Sequence, residues 1–150
     1  VTVRMAPHHF HDPALAVREM ARVLGRGGRL GIADGTVPAV PQIDAFINRL
    51  DVLHDPTTVR NYNAREWRGF YEAAGLRVDS VEEEAFDLAE GRLLSEWVAR
   101  SAGSSVVFEE CRRMLLEAPL TIRRALRVEA EGGDVRFDLP KIVIVGKRVD

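Results

Sequence analysis

Cysteine is nearly missing from this 150-residue chain: Cys111 stands alone, which excludes an internal disulfide and suits a reducing, cytoplasmic compartment. Lysine is scarce as well. Lys141 and Lys147 are the only two among 21 basic residues, and 23 acidic ones leave a net charge of −2. That balance gives no electrostatic footprint for nucleic acid or for an anionic membrane surface. No apolar run approaches the ~20 residues needed to span a bilayer, and the opening residues do not read as a signal peptide. Internal repeats, low-complexity tracts and an interdomain linker are lacking too. So is a glycine-rich turn between a strand and a helix: Gly27-Gly28 follows a helical pattern and Gly132-Gly133 sits in a polar turn. What is present, 46% hydrophobic and 29% charged residues, suits one soluble domain with a real core.

Val1–Met5 alternates β-branched and polar residues and reads as a strand with no leader before it, so either upstream residues are missing from this chain or the gene itself is truncated. Asp12-Pro13 is a helix start, with Asp as N-cap and Pro at the first helical position. The run to Arg26 carries Val17, Met20, Ala21 and Leu24 on one apolar stripe, and Gly27-Gly28 stops it. Arg29–Asp34 then reads as a second strand, so strand, helix and strand predict a βαβ unit with parallel strands. After Pro38 and Pro41 comes an amphipathic helix with Ile43, Phe46, Ile47, Leu50 and Leu53, and then a polar loop, His54–Asn63. Asn63 and Glu66 form a capping-box signature for a helix that buries Trp67, Phe70, Tyr71 and Ala74 and ends at Gly75. Leu76–Ser80 reads as a strand, Leu88–Arg100 and Val106–Leu116 as helices, and Ala118–Glu129 as a turn with further helix. Gly132-Gly133-Asp134 is a turn. The last strand, Lys141–Val149, has a near-continuous apolar run that predicts burial on both faces. Cys111, Trp67 and Trp97 fall at apolar helical positions and read as core.

Several of these blocks resemble class I S-adenosylmethionine-dependent methyltransferases, in the branch of the ubiquinone/menaquinone-biosynthesis C-methyltransferases and their small bacterial relatives. The likeness rests on Arg4, Ala6, His8, His9, Phe10 and Asp12 in the strand-end loop, on Arg22–Gly28 closing the helix, and on Asp34 ending the next strand. It continues through DPTTVRNYNAREW (Asp55–Trp67) and, more weakly, SEWVARSAGS (Ser95–Ser104) and the final strand. The resemblance implies an α/β, Rossmann-like sheet made of the family's fourth to seventh strands, the last antiparallel, with flanking helices. The chain is then a single incomplete domain, residues 1–150, with a lid-like helical insertion over about 36–62. It also implies S-adenosylmethionine as cofactor. Because the glycine-rich loop that holds this cofactor is absent, the chain alone is expected to bind it weakly or not at all. It is then the acceptor-side half of a longer protein, inactive alone.

The histidine loop carries most of the chemistry. As a metal site it is poorly supported, since His8 and His9 are adjacent, no cysteine assists them and His54 is distant, so no metal ligands are assigned. Either these imidazoles pack under the helix start, or they line a site at the carboxyl end of a parallel strand, where α/β folds place ligands. A neutral imidazole there could orient or deprotonate an acceptor, and His9 is the candidate base. The resemblance places Arg4, Met5, Ala6 and His9 at the cofactor, and His8, Asp34, Phe46, His54, Arg60 and Tyr62 around a small-molecule methyl acceptor. Arg4 alternatively pairs with Asp34 on the neighbouring strand. A competing, non-catalytic reading is a truncated fragment that forms a homodimer through the Val1–Met5 edge.

Overall fold

The computed structural model describes residues 1–84, 91–101 and 103–149, with the backbone alone at residue 84. In chain order the elements are β1 (Thr2–Arg4), α1 (Pro13–Arg22), β2 (Arg29–Gly35), α2 (Pro41–His54), α3 (Ala64–Ala73) and β3 (Leu76–Glu84). They continue with β4 (Arg92–Leu93), α4 (Leu94–Ala99), α5 (Ser105–Glu117), α6 (Leu120–Ala125), β5 (Glu129–Glu131), β6 (Asp134–Phe137) and β7 (Lys141–Arg148). The chain divides into two compact units.

The first unit takes Val1–Ala39, Val59–Glu84 and Pro140–Asp150. Its mixed sheet runs in the order β1-β2-β7-β3. β1 pairs parallel to β2, with Val3 opposite Ile32, as the βαβ pattern predicts. β7 lies antiparallel to both β2 and β3, which gives the antiparallel last strand that the fold class calls for. β1, β2 and β3 therefore all end at one edge of the sheet, where β7 begins. Val17, Ala21 and Leu24 of the α1 stretch and Trp67 and Tyr71 of α3 pack on Leu30, Ile32, Ile142 and Ile144. Each such aliphatic side chain contributes about 1.5–3 kcal/mol when fully buried.

Local signals explain the helix ends. Asp12 accepts the Leu15 N–H at 2.8 Å as N-cap of α1. α1 stops at Arg22 instead of continuing to Arg26, and carbonyls at and just past its end find a donor in Arg148, whose Nη1 reaches that of Leu24 at 2.6 Å and that of Arg22 at 3.3 Å. Asn63 and Glu66 close the capping box on α3, and Gly75 leaves that helix at a φ of +73°. The last strand departs from its expected double burial. Ile142 and Ile144 are buried, but Val143 is 37% exposed, because α1 and α3 cover the face that Ile142 and Ile144 share.

The second unit takes Val40–Thr58 and Ala85–Leu139. α2 buries Ile47 and Leu50 and packs against α5 and α6. A small antiparallel sheet, β4-β6-β5, was not legible in the sequence beyond its turn at Gly132-Gly133. Its strands of two to four residues are too short to show alternation. The helix expected over Leu88–Arg100 is instead β4 followed by α4 among the described residues, and 88–90 lie outside them. Trp97 is buried with its ring edge-on to Phe137 at 5.3 Å, and Cys111 is fully buried. No helix among the described residues is long and apolar enough to cross a membrane.

Candidate functional site

At the carboxyl edge of the first unit's sheet, the loop after β1 turns tightly. Met5 adopts a φ of +48°, unusual for a side-chain-bearing residue, while its N–H bonds the Ala33 carbonyl at 2.9 Å. Pro7–His9 then form one 3-10 turn, closed by His9 N–H to the Ala6 carbonyl at 3.0 Å. On a regular strand or helix adjacent side chains diverge, but this turn brings the His8 and His9 rings to 4.0 Å at 44°. His11 is exposed beyond the turn.

Asp34, next to last in β2, faces the covered side of the sheet and is 2% exposed. A carboxyl buried that far needs partners for its oxygens. His8 supplies both: its N–H donates to Oδ2 at 2.7 Å, and its ring Nδ1 lies 2.7 Å from Oδ1. The alternative pairing of Asp34 with Arg4 is not what the fold adopts; Arg4 is exposed at the end of β1. Donation from Nδ1 to a carboxylate fixes the neutral ring as the Nδ1–H tautomer and makes Nε2 its basic nitrogen. Chemically, this is an oriented imidazole backed by a buried carboxylate.

The segment after α2 completes the edge. Val59 and Arg60 both donate their N–H groups to the His8 carbonyl, at 2.8 and 3.1 Å. Thr36 Oγ1 donates to the Tyr62 carbonyl at 2.8 Å. The Tyr62 ring stands edge-on to Trp67 and Phe70, with the Arg60 guanidinium 5.2 Å from its centre. Burial raises the Tyr62 phenol pKa, with Glu66 and Asp12 adding to the shift and Arg60 opposing it. Lys141, at the start of β7, places Nζ 3.4 Å from the Met5 sulfur.

The structure thus gathers Arg4, Met5, Ala6, His8, His9, Asp34, Arg60 and Tyr62 in the first unit. Phe46 and His54 belong to the second. Phe46 is half-buried on α2, and His54 is tied into its own surroundings: Nε2 meets the Trp97 carbonyl at 2.9 Å and the ring stacks on Trp97 at 3.7 Å. Among the described residues no group of three or more His, Cys, Asp or Glu is arranged to hold a metal ion. Sequence reasoning missed Gly35, Thr36 and Asn61. No local pattern marked them, since what sets Thr36 and Asn61 apart is their burial, at only 2% and 3% exposed.

No protein-family profile matches the chain. It is similar to the uncharacterized methyltransferase YcgJ of Bacillus subtilis, 40% identical over 82 residues that span 55% of this chain and 32% of that protein. It is also similar to the uncharacterized protein YafE of Escherichia coli, 31% identical over 132 residues, 88% of this chain and 62% of that one. The matched stretches thus span from about a third to under two thirds of these relatives' lengths. The crystal structure of YcgJ superposes with a TM-score of 0.86 at 28% identity, covering 99% of this chain and 63% of that one. That of BH2331 from Bacillus halodurans C-125, described as a candidate methyltransferase, superposes at 0.90 over all of this chain and 69% of that one; at 24% identity it speaks to fold.

Proposed function

We propose that the chain is part of a class I S-adenosylmethionine-dependent methyltransferase and forms the acceptor-side half of a protein that methylates a small molecule, a reading supported by its likeness to YcgJ. The observation that carries this reading is the His8–Asp34 pair at the carboxyl ends of two parallel strands, where open α/β sheets bind ligands. In this reading His8 orients the acceptor and, for an acceptor that must lose a proton, takes that proton at Nε2. Asp34 keeps the ring in the tautomer able to do so. His9, in ring contact with His8, is the second candidate base, and Arg60 and Tyr62 supply polar contacts.

The residues here fit one side of S-adenosylmethionine. The turn Arg4–Ala6, with Met5 held in an exposed, left-handed conformation, and His9 would line it, whereas the glycines supply no cradle for its methionine and ribose parts. When bound, that cofactor supplies the electrophilic methyl group. The chain's own residues then position the acceptor and exclude water.

Calorimetric titration with S-adenosylmethionine tests the proposal, on this chain and on the protein extended by its upstream coding region. The expected result is weak or no binding by the chain and clear binding with methyl transfer by the extended protein. Tight binding by the chain alone overturns the half-site reading; no binding by the extended protein overturns the enzyme reading.

A second reading has its own support. β1 is an edge strand of the described sheet, with Val1 47% and Met5 45% exposed, so a homodimer paired through Val1–Met5 would cover it. Light scattering after size-exclusion chromatography is expected to report twice the chain mass if this holds, and a stable monomer removes it.

A further inference from the structure

We infer that Val59–Tyr62 is a strap that sets the geometry of the His8–Asp34 pair, with Asn61 as its positioning residue; this rests on the reading of that pair given above. The strap grips the pair from both sides. On the His8 side, the Val59 and Arg60 amides converge on one carbonyl oxygen, that of His8. On the Asp34 side, the Asn61 side chain lies against the α-carbon of Gly35, the residue next to Asp34. A methyl group added at Gly35 would overlap Asn61 Oδ1 and come within 3.3 Å of its Cγ. One residue further on, the Thr36 hydroxyl holds the Tyr62 carbonyl.

The far end of the strap is also fixed. Arg60 Nη1 pairs with Glu66 Oε1 at 3.1 Å, and Glu66 Oε2 accepts the Asn63 N–H at 2.9 Å within the capping box. The strap is therefore anchored at the end of β2 and at the first turn of α3. Without it, the His8 carbonyl would lose both amide donors, and loops at strand ends are the mobile parts of such folds. With it, the His8 carbonyl, N–H and ring are all held, which fixes the direction in which Nε2 points. A catalytic or orienting imidazole needs that second layer of support to stay within the small angular range in which it works. Asn61 is suited to the task because Gly35 has no side chain to keep it away.

Nuclear magnetic resonance of the histidine rings in the full chain tests this without any activity assay. The wild-type chain is expected to show His8 as a single Nδ1–H tautomer with a slowly exchanging ring proton. Asn61→Ala, which removes the packing on Gly35, is expected to speed exchange of that proton and of the Val59 and Arg60 amides by about tenfold. Thr36→Val, close to isosteric, frees the Tyr62 carbonyl and is expected to act in the same direction if Asn61→Ala proves too unstable to study. Val17→Ala, a core change on α1, is expected to leave the His8 ring signal as in wild type. An Asn61→Ala ring that matches wild type, or a Val17→Ala ring that loosens equally, overturns the strap and leaves the pair standing. A wild-type His8 that already interconverts between tautomers overturns the pair itself.

Discussion

His8 meets Asp34 twice, through its backbone N–H to Oδ2 and its ring Nδ1 to Oδ1, both at 2.7 Å. One buried carboxyl thus holds both the chain and the side chain of a residue 26 positions away. Asp34→Asn tests what this does. The amide keeps the shape but has one acceptor oxygen, so one His8 donor faces an NH2 group or the ring changes tautomer. The expected cost is about 1–3 kcal/mol of stability, measured by urea unfolding. Under the proposed function, the extended protein carrying this change should methylate an acceptor that needs deprotonation about 10²-fold more slowly or worse. Unchanged turnover with such an acceptor would remove His8 from the chemistry.

Close packing at Gly146 gives a prediction independent of function. A Cβ at this position would lie 2.6 and 2.9 Å from Cδ1 and Cε1 of Tyr71, and 3.0 Å from the Arg77 carbonyl oxygen. Tyr71 is fully buried, with its hydroxyl on the Ile144 carbonyl at 3.2 Å, so the ring has nowhere to retreat. Gly146→Ala should therefore destabilise the chain by about 1–3 kcal/mol, visible as a lower urea midpoint. Combining it with Tyr71→Leu should cost less than the sum of the two single changes, because each relieves the other's strain. Strict additivity in that cycle would show that the clash is not where the loss arises.

The capping box on α3 should behave as a coupled pair. Asn63→Ala leaves the Glu66 N–H without its side-chain acceptor, at 3.0 Å in the intact helix, and should cost about 1 kcal/mol. Glu66→Ala removes the reciprocal bond to the Asn63 N–H and also the exposed ion pair with Arg60. Circular dichroism melts of the two single variants and the double variant check this. A double variant no worse than Asn63→Ala alone is the expected result, since the second bond depends on the first.

How much of this was legible in the sequence follows from the range of each interaction. Asp12-Pro13 and Asn63…Glu66 are signals within four residues, and both caps form as read. The alternation in Val1–Met5 and Arg29–Asp34 and the helix between them gave the parallel pair β1–β2. β3 runs past Ser80 to Glu84, because the irregularity between Val78 and Ser80 breaks the alternation that would have announced it. The histidines and Asp34 stood out by residue type. That His8 rather than Arg4 takes Asp34 depends on a 3-10 turn whose formation no local pattern declared. Thr36 and Asn61 were silent because their role comes from burial, which a single sequence does not display.

Cys111 supplies the last test, and its sign can be worked out. Burial, with a smaller contribution from the Glu110 charge, pushes its thiol from 9.0 to about 11. Between those values the folded chain keeps a proton that the unfolded chain has released. The folded state then binds more protons, so stability falls as pH rises. That contribution is fully present below pH 9 and is lost as the pH passes through about 11. Other groups titrate in the same range, so the measurement is a comparison with Cys111→Ala. At pH 8 the wild type should be the more stable, by about 1 kcal/mol from packing. The gap should close or reverse between pH 9 and 11, and over the same range the thiol should become reactive toward alkylating agents only near the top. A gap that stays constant to pH 11 would mean the folded thiol ionises as easily as the unfolded one, and that its burial costs the thiolate nothing.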